Sequence, residues 1–118
     1  MNENVESTQL DKELLSDYVQ RLGHGVVKQM FDLYIQQVAL YINDIESSLL
    51  SDNSQLWQEH CHKMKGAAGS VGLKSLHIRL KEMEKTTMGT SGKAQQLAEL
   101  KIHNKQAIAA FDDWLSGL

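Results

Sequence analysis

Apolar side chains return every three or four residues along most of this chain, and nowhere do they alternate with polar ones for the length of a strand. Leu10, Leu14, Tyr18 and Leu22 share one face of a first helix through LDKELLSDYVQRLG, with Ser7 or Thr8 as its cap and Gly23 as its stop. A long second helix follows from about Val26, carrying Val27, Phe31, Tyr34, Ile35, Val38, Tyr41, Ile42, Ile45 and Leu49 at helical spacing. The polar stretch Ser51 to Ser54 ends it and supplies caps for the next. The third helix has the stripe Trp57, Cys61, Met64, Ala68 and Val71, and a fourth resumes after Gly72 with Leu73, Leu76, Leu80 and Met83. GTSG at Gly89 to Gly92 reads as the clearest loop. The last helix carries Leu97, Leu100, Ala107, Phe111, Trp114 and Leu118.

Five helices with short connections predict an all-α fold: an antiparallel up-and-down four-helix bundle, with the short additional N-terminal helix covering one end. Residues 1–7 are polar and read as a flexible N-terminus, leaving 8–118 as the domain. The absence of proline favours long uninterrupted helices. A net charge of −3 with no basic stripe argues against nucleic acid as a partner. The one cysteine, Cys61, cannot form an internal disulfide and suits a reducing compartment. No apolar run reaches the length of a membrane span, so the expected setting is the cytoplasm, without membrane contact by this domain itself.

The stretch HCHKMKGAAGSVG, from His60 to Gly72, breaks the rules of an ordinary helix. Each interior glycine costs a helix about 1 kcal/mol relative to alanine. With the apolar stripe at 0° and a helical advance of about 100° per residue, His62 falls near 140°, on the solvent side. Gly66 and Gly69 fall at about 180° and 120°, one and two turns along the same face, with Lys65 on its shoulder at about 80°. The missing side chains therefore clear the surface beside one exposed imidazole. That suits a partner whose backbone must come very close to His62, while Lys65 balances negative charge arriving at the ring. Neutral imidazole is a nucleophile that can attack an acyl phosphate without a general base. These features fit phosphoryl transfer through histidine.

HKMKGAAGSVGL, from His62 to Leu73, resembles the signature of histidine-containing phosphotransfer (HPt) domains, and the resemblance extends over nearly the whole chain. It is similar in particular to the C-terminal HPt modules of hybrid sensor histidine kinases of the anaerobic-respiration type. The resemblance implies a phosphorelay intermediate of two-component signalling. His62 would accept a phosphoryl group from a receiver-domain aspartate and pass it to the aspartate of a response regulator. It also implies that Lys65 balances the phosphoryl charge and that Gly66 and Gly69 keep the docking face clear. The domain would need no cofactor or metal of its own, because Mg²⁺ belongs to the partner receiver domain. It would be a monomeric phosphocarrier without ATP-dependent kinase activity. Some family members have a glutamine where this chain has Glu84. A carboxylate there disfavours a nearby phosphoryl group unless it turns away or pairs with a cation such as Lys81, so Glu84 is left out of the expected site.

Other readings compete. His60 maps to about −60°, on the flank of the core stripe, and reads as half-buried and structural. The HCH triplet invites a zinc site, but successive helical positions diverge by about 100° and metal pairs on a helix need i, i+4 spacing. Cys61 reads as a small buried hydrophobe. His24, His77 and His103 have no clustered partners in sequence. Ala67, Ala68 and Gly72 can serve close helix packing or, at Gly72, helix termination, whereas Gly66 and Gly69 point away from the bundle on this rotation. The functional alternatives are a helical adaptor that binds a partner without being phosphorylated, and a small metal-binding bundle.

Overall fold

A computed structural model describes residues 9–118, and among them every regular element is a helix. The helices are α1 (Lys12–Leu22), α2 (His24–Leu50), α3 (Ser54–Ser70), α4 (Lys74–Glu84) and α5 (Thr90–Ser116). The expected caps Ser7 and Thr8 lie outside the described residues. The cap of α1 is Asp11, whose Oδ1 accepts from the Leu14 amide at 3.1 Å. The helix docks on the α3–α4 turn through Leu15, which packs at Gly72, so Leu15 is buried, Leu14 is only partly so, and Leu22 is half exposed. Gly23, at φ 90°, ends α1 and at once begins α2, two residues ahead of the expected start.

The two 27-residue helices, α2 and α5, set the length of the molecule: about 1.5 Å of rise per residue makes each roughly 40 Å long. They run antiparallel, with Phe31 stacked on Phe111 (centroids 4.1 Å apart) and the buried Tyr34 hydroxyl donating to Asn104 Oδ1 at 2.8 Å. The shorter α3 and α4 close the ring, giving successive neighbours α2–α3–α4–α5–α2. Their inner stripes are those the periodicity predicts: Trp57, Cys61, Met64 and Ala68 from α3, with Leu76, Leu80 and Met83 from α4, all at most 2% exposed.

Turns at either end of α3 aim it. Asp52, at φ 51°, reverses the chain after α2, and Asn53 caps α3 by accepting from the Leu56 amide at 3.0 Å. At the far end Gly72, at φ 76°, builds a left-handed stop in which the amides of Gly72 and Leu73 bond back to the carbonyls of Gly69 and Ala68. A side chain at Gly72 is excluded twice over, because its Cβ would lie 2.7 Å from Leu15 Cγ. The Asp11 amide donates to the Gly72 carbonyl and the Tyr18 hydroxyl to that of Ser70, so α1 covers the α3–α4 end of the bundle.

Two expectations fail at the other end. The loop spans Lys85 to Gly89, whereas Thr90, Ser91 and Gly92 form the first turn of α5. Gly92 is there for close approach, since a Cβ would meet the Met88 side chain at 2.8 Å. Small polar residues suit a first turn as well as a loop, because the first amides of a helix have no intrahelical partner. Leu118 lies past the end of α5 and is 61% exposed.

Candidate functional site

His62 projects from the middle of α3 with its side chain 66% exposed. The neighbouring helix reaches it: Glu84, the last residue of α4, brings Oε2 to 3.1 Å from His62 Nδ1 and Oε1 to 2.7 Å from Lys65 Nζ. Glu84 and Lys65 are themselves mostly covered, at 16% and 20% exposure. The Lys65 ammonium, and less strongly the His62 ring, hold the Glu84 carboxyl below the usual carboxylate range, although partial burial pushes it the other way. It is therefore ionised at neutral pH and can only accept hydrogen bonds. His62 Nδ1 must then carry the proton it shares with Glu84. The lone pair of the neutral ring is left on Nε2, facing solvent.

This corrects the sequence reading of Glu84. The carboxylate neither turns away nor pairs with Lys81; it pairs with Lys65 and His62 and stands at the centre of the site. Lys65 sits beside His62 as expected, with its ammonium engaged by Glu84. A signal for Glu84 was present in the numbering: it lies 22 residues after His62, and the Gly72–Leu73 turn falls midway. Antiparallel helices folded about that turn bring the two positions opposite each other.

The two glycines divide. A Cβ on Gly66 would meet nothing within 4 Å, so this position is open surface beside the imidazole. At Gly69 a Cβ would lie 2.8 Å from His77 Nδ1, whose ring fills the gap and donates to the Lys65 carbonyl at 3.0 Å. Gly69 thus faces α4, contrary to the rotation estimate, because the His77 side chain of α4 reaches past the buried stripe onto the flank of α3. Next to Gly66, Ala67 and Val71 border an apolar groove whose far wall is Met30, Leu33 and Tyr41 of α2, with Leu33 52% exposed.

The other candidates fall where their local chemistry sends them. His60 is half-buried. Cys61 is fully buried, and burial pushes its thiol up to about 12, so it is no thiolate at neutral pH. With Cys61 in the core and His62 in solvent, the HCH triplet does not converge. Among the described residues no three His, Cys, Asp or Glu side chains form a group that could hold a metal ion. His103, without partners in sequence, gains them in space. Its Nδ1 accepts from Arg79 Nε at 2.7 Å, so its Nε2 carries the proton and donates to Ser75 Oγ, also at 2.7 Å. A serine whose oxygen accepts a hydrogen bond from histidine is not activated as a nucleophile, and this network ties α4 to α5 instead.

A closed helical bundle presenting an imidazole on a bare helix face, with the rear nitrogen held by a carboxylate, has the form of a histidine phosphotransfer module. Residues 29–114 match the family described as Hpt domain, and the chain belongs to that family. It is a phosphorelay intermediate of two-component signal transduction. Over 67 residues the chain is 35% identical to the aerobic respiration control sensor protein ArcB of Escherichia coli O157:H7 and 33% identical to that of Shigella flexneri. The matched stretch is 57% of this chain and 9% of those relatives, so the chain corresponds to a small part of their length. The solved histidine-containing phosphotransfer domain of ArcB from Escherichia coli has the same fold, with a TM-score of 0.87 over 97% of this chain and 98% of that one at 22% identity. A solution structure of that domain gives 0.83 over 95% and 91%, also at 22% identity. No helix among the described residues is long and apolar enough to cross a membrane.

Proposed function

We propose that Nε2 of His62 is the atom that carries the phosphoryl group in this relay. The observation that supports this reading is the Glu84 contact, which holds the proton on Nδ1 and leaves the nucleophilic lone pair on the exposed nitrogen. The donor is the acyl phosphate of a receiver-domain aspartate. As the Nε2–P bond forms, the P–O bond to the aspartate breaks and its carboxylate leaves. No proton need move, because the ring keeps Nδ1–H, and the positive charge that develops on the imidazole is stabilised by Glu84. Lys65, paired with Glu84 at 2.7 Å, is the cation that would balance the incoming phosphoryl charge. The reverse sequence delivers the group to the aspartate of a response regulator.

In this reading the open surface at Gly66 admits the receiver's backbone, and the Met30–Leu33–Val71 groove supplies apolar contact. Mg²⁺ comes with the receiver, because acyl-phosphate chemistry at an aspartate needs the charge neutralised there. The chain then acts as a monomeric cytoplasmic phosphocarrier between receiver domains of a hybrid sensor kinase and a response regulator, with no ATP-dependent kinase activity of its own. The test is transfer of label from a phosphorylated receiver domain to the wild type, His62→Gln and His60→Gln. Acid-labile label on the wild type and His60→Gln, and none on His62→Gln, is the expected result. Label retained by His62→Gln would move the site, and no label on a folded wild type from any of several receivers would favour the unphosphorylated adaptor.

A further inference from the structure

Glu84 orients His62 only if α4 is held at the right height and separation against α3, and Glu84 is the terminal residue of its helix, where backbone order is ordinarily weakest. Two non-local hydrogen bonds address that weakness. The indole of Trp57, itself 2% exposed, donates Nε1–H to the carbonyl of Met83 at 2.8 Å. Met83 immediately precedes Glu84, and within its own chain segment its carbonyl receives a longer bond from Thr86 at 3.3 Å. The indole is pinned in turn by α5: the buried Lys93 places Nζ 5.4 Å from the ring centroid and donates to Ser54 Oγ at 3.2 Å. At the other side of the site His77 of α4 donates Nδ1–H to the backbone carbonyl of Lys65, with its ring seated in the notch left by Gly69. One tie therefore falls next to Glu84, the carboxylate that meets His62 Nδ1, and the other on Lys65, the cation paired with that carboxylate.

We propose that Trp57 and His77 are positioning residues for phosphoryl transfer, setting the α3–α4 register at which the Glu84 carboxylate reaches His62. Neither takes part in the His62–Glu84–Lys65 contacts; both act through the backbone of a residue that lies in or beside them. The proposal rests on the reading that Glu84 orients the imidazole, so the experiment separates the two.

Trp57→Phe removes the N–H and keeps an aromatic ring beneath Lys93. His77→Ala empties the notch, whereas His77→Asn places an amide N–H near the former Nδ1 and restores the bond to Lys65. Each variant is measured three ways: urea stability, the His62 tautomer from imidazole ¹⁵N shifts, and phosphotransfer rate against receiver concentration. The expected result for Trp57→Phe and His77→Ala is a mixed His62 tautomer and a several-fold lower maximal transfer rate, with the receiver concentration for half-maximal rate unchanged and His77→Asn close to wild type. Lower stability with an unchanged tautomer and unchanged rate would show a merely structural role and overturn the proposal. Glu84→Ala is the control for the underlying reading. If it transfers at the wild-type rate, that reading and the proposal fall together; if it is slow while Trp57→Phe and His77→Ala are normal, the proposal alone falls. Should Trp57→Phe not fold, the His77→Ala and His77→Asn pair decides the question.

Discussion

Replacing Gly66 by alanine adds a methyl group where nothing lies within 4 Å, whereas the same change at Gly69 drives it to 2.8 Å from the His77 ring. Both glycines sit in α3, so both gain helix propensity, worth about 0.5–1 kcal/mol at the interior Gly66 and less at Gly69 near the end. At Gly69 that gain is opposed by overpacking, typically about 1–3 kcal/mol. Displacing His77 also costs its bond to the Lys65 carbonyl, about 1 kcal/mol. Gly66→Ala should therefore raise the melting temperature by roughly 2–4 °C, and Gly69→Ala should lower it by roughly 4–10 °C. Urea and thermal denaturation of the two variants and of the double variant Gly69→Ala/His77→Ala measure this, the double variant recovering part of the loss because the obstructing ring is gone. Activity should not follow stability. Gly66→Gln, no less stable than wild type, puts a long side chain on the docking face and should weaken receiver binding on the order of tenfold. Equal effects of alanine at the two positions, or a destabilising Gly66→Ala, would refute the argument that one glycine serves a partner and the other serves α4.

Tyr34→Phe leaves the buried Asn104 Oδ1 without its donor and should cost about 1–3 kcal/mol by urea denaturation, with no change in phosphotransfer. The His103 ring is held neutral, its affinity for a proton lowered by burial and by Arg79. An unfolded histidine titrates near pH 6.5, so its contribution is intact above about that value and is lost as pH falls toward the lower folded value. His103→Gln should flatten stability over that window, and an unchanged slope would contradict the Arg79–His103–Ser75 geometry. Glu84 titrates lower down: its contribution is present above about pH 4.3 and lost as pH falls through its depressed folded value, so Glu84→Gln should remove that part of the acid transition. The side-chain amide oxygen introduced by that substitution can still accept from His62 Nδ1–H, so Glu84→Gln should transfer within a few-fold of wild type, in contrast to Glu84→Ala.

The fold was legible where burial is one-sided. The stripes Trp57–Cys61–Met64–Ala68 and Leu76–Leu80–Met83 are apolar at helical spacing because each faces one core, and each proves buried. Adjacent leucines defeated the same reasoning in α1, where Leu14 and Leu15 fit alternative faces and only the packing of Leu15 at Gly72 decides between them. Gly89 to Gly92 misled because small polar residues serve a loop and a first helical turn equally. The site was half legible. His62 and Gly66 follow from one helix taken alone, since both lie on the exposed side of α3. Glu84 and the true neighbour of Gly69 depend on where α4 lies across α3, and a rotation map of a single helix carries no such information. Only the fold-back about Gly72 supplies it.

The central claim is that Glu84 holds the Nδ1 proton of His62 and so directs phosphorylation to Nε2. NMR of the relay-phosphorylated protein, with ³¹P–¹H and imidazole ¹⁵N correlations, identifies the phosphorylated nitrogen directly. The account predicts a single phosphohistidine at position 62, bonded through Nε2 with a proton on Nδ1. A phosphoryl group on Nδ1 of His62, or on any other histidine, would contradict it.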